Sequence, residues 1–343
     1  MSTITVPTGR VRQVATAYAI RPGWLALLVT IVAALALGEL PLAYQYAPLL
    51  VSVVFIGLPH GAVDHLVMAR HRGESLTRRW LALVGLIYLV LGGLYGLVWF
   101  LFPVAAFAFF IGLTWFHWGQ GELYPLVEIV GSSYLRRPSQ KALTVGVRGG
   151  APMALPLVAF PEQYQFVATS LIGLFDAGAA GALAPLFEPT ARAVVAGLYG
   201  VAALATVVLG FHGADEREPW LVDTGEIGLL TVYFLVVPPI LAIGIYFCFW
   251  HSLRHVIRTV LLHDRSVGWL ENGQLGATVR QFAWDAAPMT AGALLLLGGL
   301  YLLVPAAPQE VADLVGLYLA LIAMLTLPHV AIVVWLDRAQ GLL

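Results

Sequence analysis

The chain has 343 residues, of which 60% are apolar and only 11% are charged. A typical soluble domain carries roughly 25% charged residues, because its surface must face water. The formal net charge of −1 leaves no excess of basic residues for binding nucleic acid. This composition therefore excludes a water-soluble enzyme, a nucleic-acid-binding protein and a disordered protein. It predicts an integral membrane protein that crosses the bilayer several times.

Long apolar runs predict the membrane-spanning helices, since a transmembrane helix needs roughly 20 mostly apolar residues. Eight runs meet this length: residues 24–43, 48–68, 80–102, 103–124, 191–211, 225–251, 286–304 and 311–335. A further apolar stretch, residues 143–175, is interrupted by glycine and proline, and we interpret it as two short spans or a re-entrant hairpin. The predicted fold is an all-α, polytopic transmembrane helical bundle of 8 to 10 spans. No long linker divides the chain, so residues 1–343 are predicted to form a single integral-membrane catalytic domain.

The basic residues predict how this bundle is oriented, because Lys and Arg accumulate in cytoplasmic loops. With the spans above, all but one of the 18 Lys and Arg residues fall on one side, and Arg217 alone falls opposite. Both alternatives for residues 143–175 return the chain to the same side. We therefore expect a multi-pass protein of the cell membrane with both termini in the cytoplasm. Residues 1–22 are predicted to be a cytoplasmic N-terminal segment.

Histidines are concentrated at one predicted depth of the membrane. Six of the nine lie in, or at the end of, apolar runs that are predicted to end at the cytoplasm: His60, His65, His117, His251, His255 and His329. Polar side chains inside a membrane are costly, so they face the bundle interior and usually mark function. Four separate helices thus bring imidazoles together, which predicts a metal site in the cytoplasmic half of the bundle.

The spacing of these residues suggests how such a site is built. His251 and His255 are four residues apart and share one helical face, so both can bind one metal ion. His60 and Asp64 have the same spacing, and the carboxylate is a candidate for orienting a metal-binding imidazole. His65 follows His60 by five residues, which places the two side chains about 140° apart on a helix. We therefore expect His65 to contribute a hydrogen bond or substrate contact rather than a metal bond.

Other candidates lie beside the histidines in the sequence. Glu122 is a candidate for orienting the ring of His117. Aromatic side chains flank two of the histidine motifs and are candidates for lining a slot for a flat, conjugated, apolar substrate: Trp118, Tyr246, Phe249 and Trp250.

Several functions are compatible with a membrane-embedded histidine cluster, because neutral imidazole binds Fe, Zn and Cu alike. A haem protein with two axial histidines is one alternative, and a transporter with a structural histidine cluster is another. A retinal-binding protein needs a lysine inside the membrane, but the only lysine, Lys141, lies in a polar loop.

Four motifs of the sequence resemble those of a known protein family: GLPHGAVD at residues 57–64, FHWG at 116–119, YFCFWHSLRH at 246–255 and LPH at 327–329. In these strings and in their order the chain resembles the Brp/Blh family, which are integral-membrane β-carotene 15,15′-dioxygenases. The resemblance covers most of the chain.

The resemblance implies that O₂ cleaves the central double bond of β-carotene into two molecules of all-trans-retinal at a mononuclear non-haem Fe(II). The family's iron-binding histidines match His60, His117, His251 and His255, and His329 matches a further histidine near the metal or the substrate. No catalytic residue beyond the metal ligands is implied. The resemblance also suggests that the retinal is supplied to a microbial rhodopsin.

Overall fold

A computed structural model describes residue 7 and residues 9–38 and 40–343 of the chain. These residues form helices joined by short loops, without strands. The longer helices are α1 (Gly9–Leu37), α2 (Leu42–His71), α3 (Arg78–Leu101), α4 (Pro103–Gly121), α5 (Pro138–Ala159), α6 (Pro161–Gly173), α7 (Pro189–Gly213), α8 (Arg217–Val236), α9 (Pro239–Val260), α10 (Asp264–Glu271), α11 (Leu275–Leu303) and α12 (Val311–Ala339). Short π- or 3-10-helical segments lie at Pro125–Val130, Ser133–Arg136 and Ala179–Phe187.

Among the described residues, nine of these helices are long and apolar enough to cross a membrane: α1, α2, α3, α5, α7, α8, α9, α11 and α12. Helix α4 adds 19 residues that pack between α3 and α5. The predicted all-α polytopic bundle is therefore confirmed. Residues 9–22 of the predicted N-terminal segment belong to α1, whereas residues 1–6 and 8 lie outside the described part. Helix α1 ends at Leu37, earlier than the predicted limit of 43, because Gly38 turns the chain with a φ of +67°.

The predicted span 225–251 is wrong, because it consists of parts of two helices. Helix α8 ends at Val236, and α9 begins at Pro239. Pro238 and Pro239 supply no backbone N–H, and a residue before proline is driven towards extended backbone. Val237 is extended accordingly, with ψ of 131°. The chain therefore reverses at a point where hydropathy alone shows one continuous run.

Both interpretations of residues 143–175 are also wrong. Helix α5 is a long helix of 22 residues, and the short α6 follows it without returning the chain to the starting side. The start of α7 lies beside the end of α5, since Arg192 donates a hydrogen bond to the Val158 carbonyl oxygen (2.8 Å). At the other end of α7, Tyr134 in the loop before α5 donates to Asp223 near the start of α8 (2.5 Å). Helix α7 therefore runs in the direction opposite to the one predicted.

The missed reversal at Val237 adds one membrane crossing, and residues 143–175 contribute to one crossing where an even number was predicted. The total number of crossings therefore stays even, and the two ends of the bundle's chain still lie on the same side. The Arg12 side chain donates to the Ile129 carbonyl oxygen (2.7 Å), and Lys141 Nζ lies 3.5 Å from the Gly341 carbonyl oxygen. The two ends of the described chain therefore meet the same loop region, on one side of the bundle. Arg217 lies on this side as well, and Arg192 is the basic residue at the opposite end.

Helices α4 and α5 approach each other so closely that two positions admit only glycine. A Cβ atom at Gly149 would lie 1.8 Å from the Trp115 carbonyl oxygen, and one at Gly119 would lie 2.0 Å from the Val145 carbonyl oxygen. Small residues let membrane helices pack at backbone distance. This contact fixes α4, the helix that carries His117.

Replacing Gly149 with alanine is expected to separate α4 from α5 and to lower the midpoint of thermal unfolding in detergent. Overpacking of this kind typically costs about 1–3 kcal/mol. Gly146→Ala is the matched control on the same helix, because a Cβ there meets no atom within 4 Å. Equal unfolding midpoints for the two variants would contradict the close approach of the helices.

Candidate metal centre

Five histidines from four helices meet in the interior of the bundle: His60 on α2, His117 on α4, His251 and His255 on α9, and His329 on α12. All five side chains are buried. Neighbouring ring centroids lie between 4.7 Å (His251 to His255) and 5.7 Å (His60 to His255) apart. The structure thus brings together the four predicted metal ligands and adds His329 as a direct neighbour.

The ring nitrogens form two overlapping sets of candidate ligands. One nitrogen each from His60, His117 and His329 lie within 4.8 Å of one another, and the same holds for His117, His251 and His255. An imidazole nitrogen binds a metal ion at about 2 Å, so two nitrogens on one ion lie at most about 4 Å apart. Small side-chain adjustments therefore bring each set into bonding range, with His117 common to both.

Most of these nitrogens have no hydrogen-bond partner within the described part of the chain. Both ring nitrogens of His117 and His251 are unpaired, as is Nε2 of His255 and of His329. Buried polar atoms are almost always hydrogen-bonded, so a group of unpaired ones needs an explanation. Neutral imidazole nitrogens with free lone pairs fit a metal cation, and the residues present therefore match a metal centre.

Local irregularities in two helices bring the histidines to this point. Helix α2 is interrupted before Gly57, where a Cβ would lie 2.6 Å from a ring carbon of Phe247, so glycine allows α2 to touch α9. The His60 Nδ1 bonds to the Gly57 carbonyl oxygen, which leaves Nε2 free. His251 lies in a π-helical segment of α9, Phe247–Ser252, and such segments are frequent at functional sites.

Asp64 orients His329 and not His60, which corrects the expectation from the sequence. Its Oδ2 accepts a hydrogen bond from His329 Nδ1 (2.8 Å) and another from the Tyr88 hydroxyl (2.6 Å). The helix is broken at Ala62, so the four-residue spacing does not place Asp64 beside His60. A carboxylate on Nδ1 fixes the ring and leaves Nε2 of His329 free to bind a metal.

His65 lies outside both sets of candidate ligands. Its Nδ1 is 3.1 Å from the Ala62 carbonyl oxygen, and the side chain lines a neighbouring cavity.

The expectation that Glu122 orients His117 is wrong. Its Oε2 accepts hydrogen bonds from Arg148 (2.7 Å) and Arg254 (2.6 Å). Asp223 and Glu226 also pair with these two guanidinium groups, with nitrogen-to-oxygen distances of 2.5 to 2.8 Å. The side chains of all five charged residues are buried. We call these five residues the charge cluster.

The sequence interpretation missed the charge cluster. Arg148 lies in an apolar run beside two glycines, which is a signal for a paired buried charge. Arg254 lies between His251 and His255 on α9 and stacks on the Trp250 ring at 3.9 Å. The indole N–H of Trp250 points to Glu122 at 3.2 Å. The cluster thus anchors the segment of α9 that carries two of the histidines.

An apolar cavity of about 890 Å³ lies next to the histidines, four of which line it: His60, His117, His251 and His329. Of the four predicted aromatic residues, Trp118 lines this cavity, and the other three do not. Tyr246 and Trp250 are buried elsewhere, and Phe249 is 39% exposed at the surface. The reason is helical geometry, because one face of α9 borders the cavity, with lining residues at spacings of three and four (Ile240, Ile243, Phe247 and His251), and Tyr246, Phe249 and Trp250 lie on other faces. Phe247, which belongs to the same aromatic motif as Tyr246, also lines the cavity, and sequence reasoning missed further aromatic lining residues: Tyr88, Phe107, Phe110 and Tyr164.

Fold and site together define a multi-pass helical membrane protein with a histidine-rich candidate metal centre beside an apolar cavity. The family model described as beta-carotene 15,15′-dioxygenase matches residues 51–337. The chain therefore belongs to the β-carotene 15,15′-dioxygenase family of enzymes, and the resemblance to Brp/Blh proteins is confirmed. All five clustered histidines lie within the matched range.

Curated relatives agree with this assignment over nearly the whole chain. The probable beta-carotene 15,15′-dioxygenase Blh of Halobacterium salinarum is 42% identical over 99% of this chain and 98% of its own length. The probable dioxygenase Brp of the same species is 30% identical over 92% of this chain and 91% of its own length. The beta-carotene 15,15′-dioxygenase of uncultured marine bacterium 66A03 is 23% identical over 85% of this chain and 94% of its own. No solved structure matches the chain.

The hydrogen bonds from Tyr88 through Asp64 to His329 lead to a prediction about metal retention. We expect Tyr88→Phe and Asp64→Asn to weaken metal binding by about 10-fold or more, because the ring of His329 loses its fixed orientation. Tyr95→Phe is the matched control on α3, since the Tyr95 hydroxyl donates only to the Ala106 carbonyl oxygen. Metal content is measured after dialysis against graded concentrations of chelator, and curves equal to wild type in both variants would contradict this role of Asp64.

Proposed function

We propose that this protein cleaves the central 15,15′ double bond of β-carotene with O₂, giving two molecules of all-trans-retinal, at one non-haem Fe(II). One observation carries the proposal: unpaired histidine nitrogens face an apolar cavity in a chain of this family. The central C=C bond breaks and two C=O bonds form. Each oxygen atom of O₂ ends in one aldehyde, so the reaction balances without an external reductant.

We propose His60, His117, His251 and His255 as iron ligands, and the geometry adds His329 as a fifth candidate donor. Iron supplies the electron chemistry that O₂ activation requires, and the protein provides geometry and a dry environment. Neutral imidazole ligands carry no charge, so even five of them would leave Fe(II) with its full positive charge.

The remaining lining residues hold a hydrocarbon and exclude water. The cavity is bounded by aliphatic and aromatic side chains, and its volume lies in the range of about 300–1,000 Å³ typical of small-molecule sites. The Trp118 ring lies beside His251, with 5.6 Å between ring centroids and a tilt of 39°, and is placed to contact a conjugated chain next to the histidines. We propose that the aldehyde products leave for the lipid bilayer and supply a microbial rhodopsin.

The alternatives from the sequence fit this geometry less well. Neighbouring imidazoles in the cluster have ring centroids only 4.7 to 5.7 Å apart, which leaves no gap for a planar porphyrin between two such rings. A transporter of ions needs a path lined by polar groups. Among the described residues that line this cavity, Asp64 is the one carboxylate, and most of the others are apolar. We further propose a cell-membrane location with both termini in the cytoplasm, because the basic residues outside the buried charge cluster, with the exception of Arg192, lie on the same side as the termini.

The purified protein in detergent is expected to contain one iron per chain and to convert β-carotene into retinal. His60→Ala should lose iron and activity together, because the free nitrogen of His60 is one of the proposed ligands. His65→Ala is the matched control from the same helix and should keep its iron. Iron is measured by elemental analysis and retinal by chromatography of parallel preparations.

An iron-free His65→Ala protein beside an iron-replete His60→Ala protein would overturn the ligand assignment. A haem absorption band, two irons per chain, or full activity with zinc alone would contradict the mononuclear iron centre.

A further inference from the structure

The apolar cavity opens towards the lipid between α3 and α11. Its lining there includes Leu81, Met289 and Leu296, which are 39%, 43% and 57% exposed at the outer surface of the bundle. Gly85 and Gly292 also line this part, and a Cβ at either would meet no atom within 4 Å. Residues that border the cavity and also reach the outer surface mark a lateral opening, which we call the open end.

The other end of the cavity is closed by side chains inside the bundle. Leu49, Leu171, Ile240 and Val315 line it there and are only 0% to 4% exposed. They come from four helices, α2, α6, α9 and α12. We call this part the closed end.

The histidines lie between the two ends, and helix geometry gives the distance to the closed end. Five lining residues of α12 follow one face at spacings of three and four residues: Val315, Leu319, Ile322, Thr326 and His329. At 1.5 Å per residue, Val315 lies about 21 Å along the helix from His329. On α4 the lining positions from Phe107 to His117 extend about 15 Å by the same measure. The part of the cavity between the histidines and the closed end, which we call the closed arm, is therefore an apolar channel with a fixed depth.

A hydrocarbon substrate cannot be held in register by hydrogen bonds, because it has no polar group to donate or accept them. Only the shape of the cavity can decide which of its many similar double bonds stops beside the histidines. A wall at a fixed distance provides such a limit, since an apolar pocket discriminates single methylene groups by about 10- to 200-fold.

We propose that the closed end is a stop that selects the bond to be cleaved, with Val315 and Ile240 as specificity-determining residues. The carotenoid slides in from the lipid through the open end until its leading ring reaches these side chains, and its central double bond then lies at the histidines. This inference rests on the proposed function, and it concerns the position of cleavage, not the chemistry.

Val315→Phe shortens the closed arm and tests the stop. We expect the substrate to halt earlier, so that the products change from two equal fragments to two unequal ones. Val311→Phe is the matched control: it makes the same substitution one turn earlier on α12, at a side chain that is 49% exposed and absent from the cavity lining. It should give equal fragments, as the wild type does. Products are separated by chromatography and identified by mass.

Ile240→Ala lengthens the closed arm instead of shortening it. It therefore tests the stop independently, also in the case that the Val315→Phe protein does not fold. Removing this side chain deepens the arm, so a mixture of equal and unequal fragments is expected. Gly85→Phe narrows the open end and should lower the rate of cleavage while the fragments stay equal.

The two hypotheses fail in distinguishable ways. Equal fragments alone from cleaving Val315→Phe and Ile240→Ala proteins would overturn the stop while leaving the dioxygenase function intact. Absence of retinal from the iron-loaded wild-type protein would overturn the proposed function itself.

Discussion

Unpaired imidazole nitrogens are the constraint on which this structure depends. Five histidines are packed inside an apolar bundle, where a polar atom without a partner costs several kcal/mol. His117 and His251 have no hydrogen-bond partner on either ring nitrogen among the described residues. A cation bound at their centre would offset part of this cost, because the one lone pair of each neutral imidazole would then form a metal bond. We therefore expect metal binding to raise the stability of the fold, since a ligand that binds only the folded state stabilises it.

The charge cluster keeps the histidine-bearing segment of α9 in place. Arg254 is bonded to Glu122 after α4 (2.6 Å) and to Glu226 on α8 (2.5 Å), so it joins three parts of the bundle. Buried ion pairs contribute little net stability, but removing one partner leaves an uncompensated charge and typically costs about 3–5 kcal/mol. The cluster therefore specifies one arrangement of these helices, and His251 and His255 are fixed on both sides of Arg254. A rigid set of imidazoles is what a metal centre of defined geometry requires.

The sequence was sufficient for the helical class and for bringing the histidines together, because hydropathy and the cost of polar groups in a membrane are local properties. It was insufficient where two helices meet without a polar loop. The turn at Val237 lies inside a continuous apolar run, and only the proline pair marks it. The partners of Asp64 and Glu122 were also assigned wrongly. Their true contacts, Tyr88 with His329 and Arg148 with Arg254, are distant in sequence and depend on how the helices pack.

The compact group of imidazoles, together with the family assignment, supports the proposal of a single iron ion with nitrogen ligands. X-ray absorption at the iron edge measures this directly in the purified, iron-loaded protein. We expect nitrogen or oxygen neighbours at about 2 Å from the iron, the outer-shell scattering of several imidazole rings, and no second metal. A second metal at about 3.5–4 Å would contradict this proposal, because that distance marks a two-metal site.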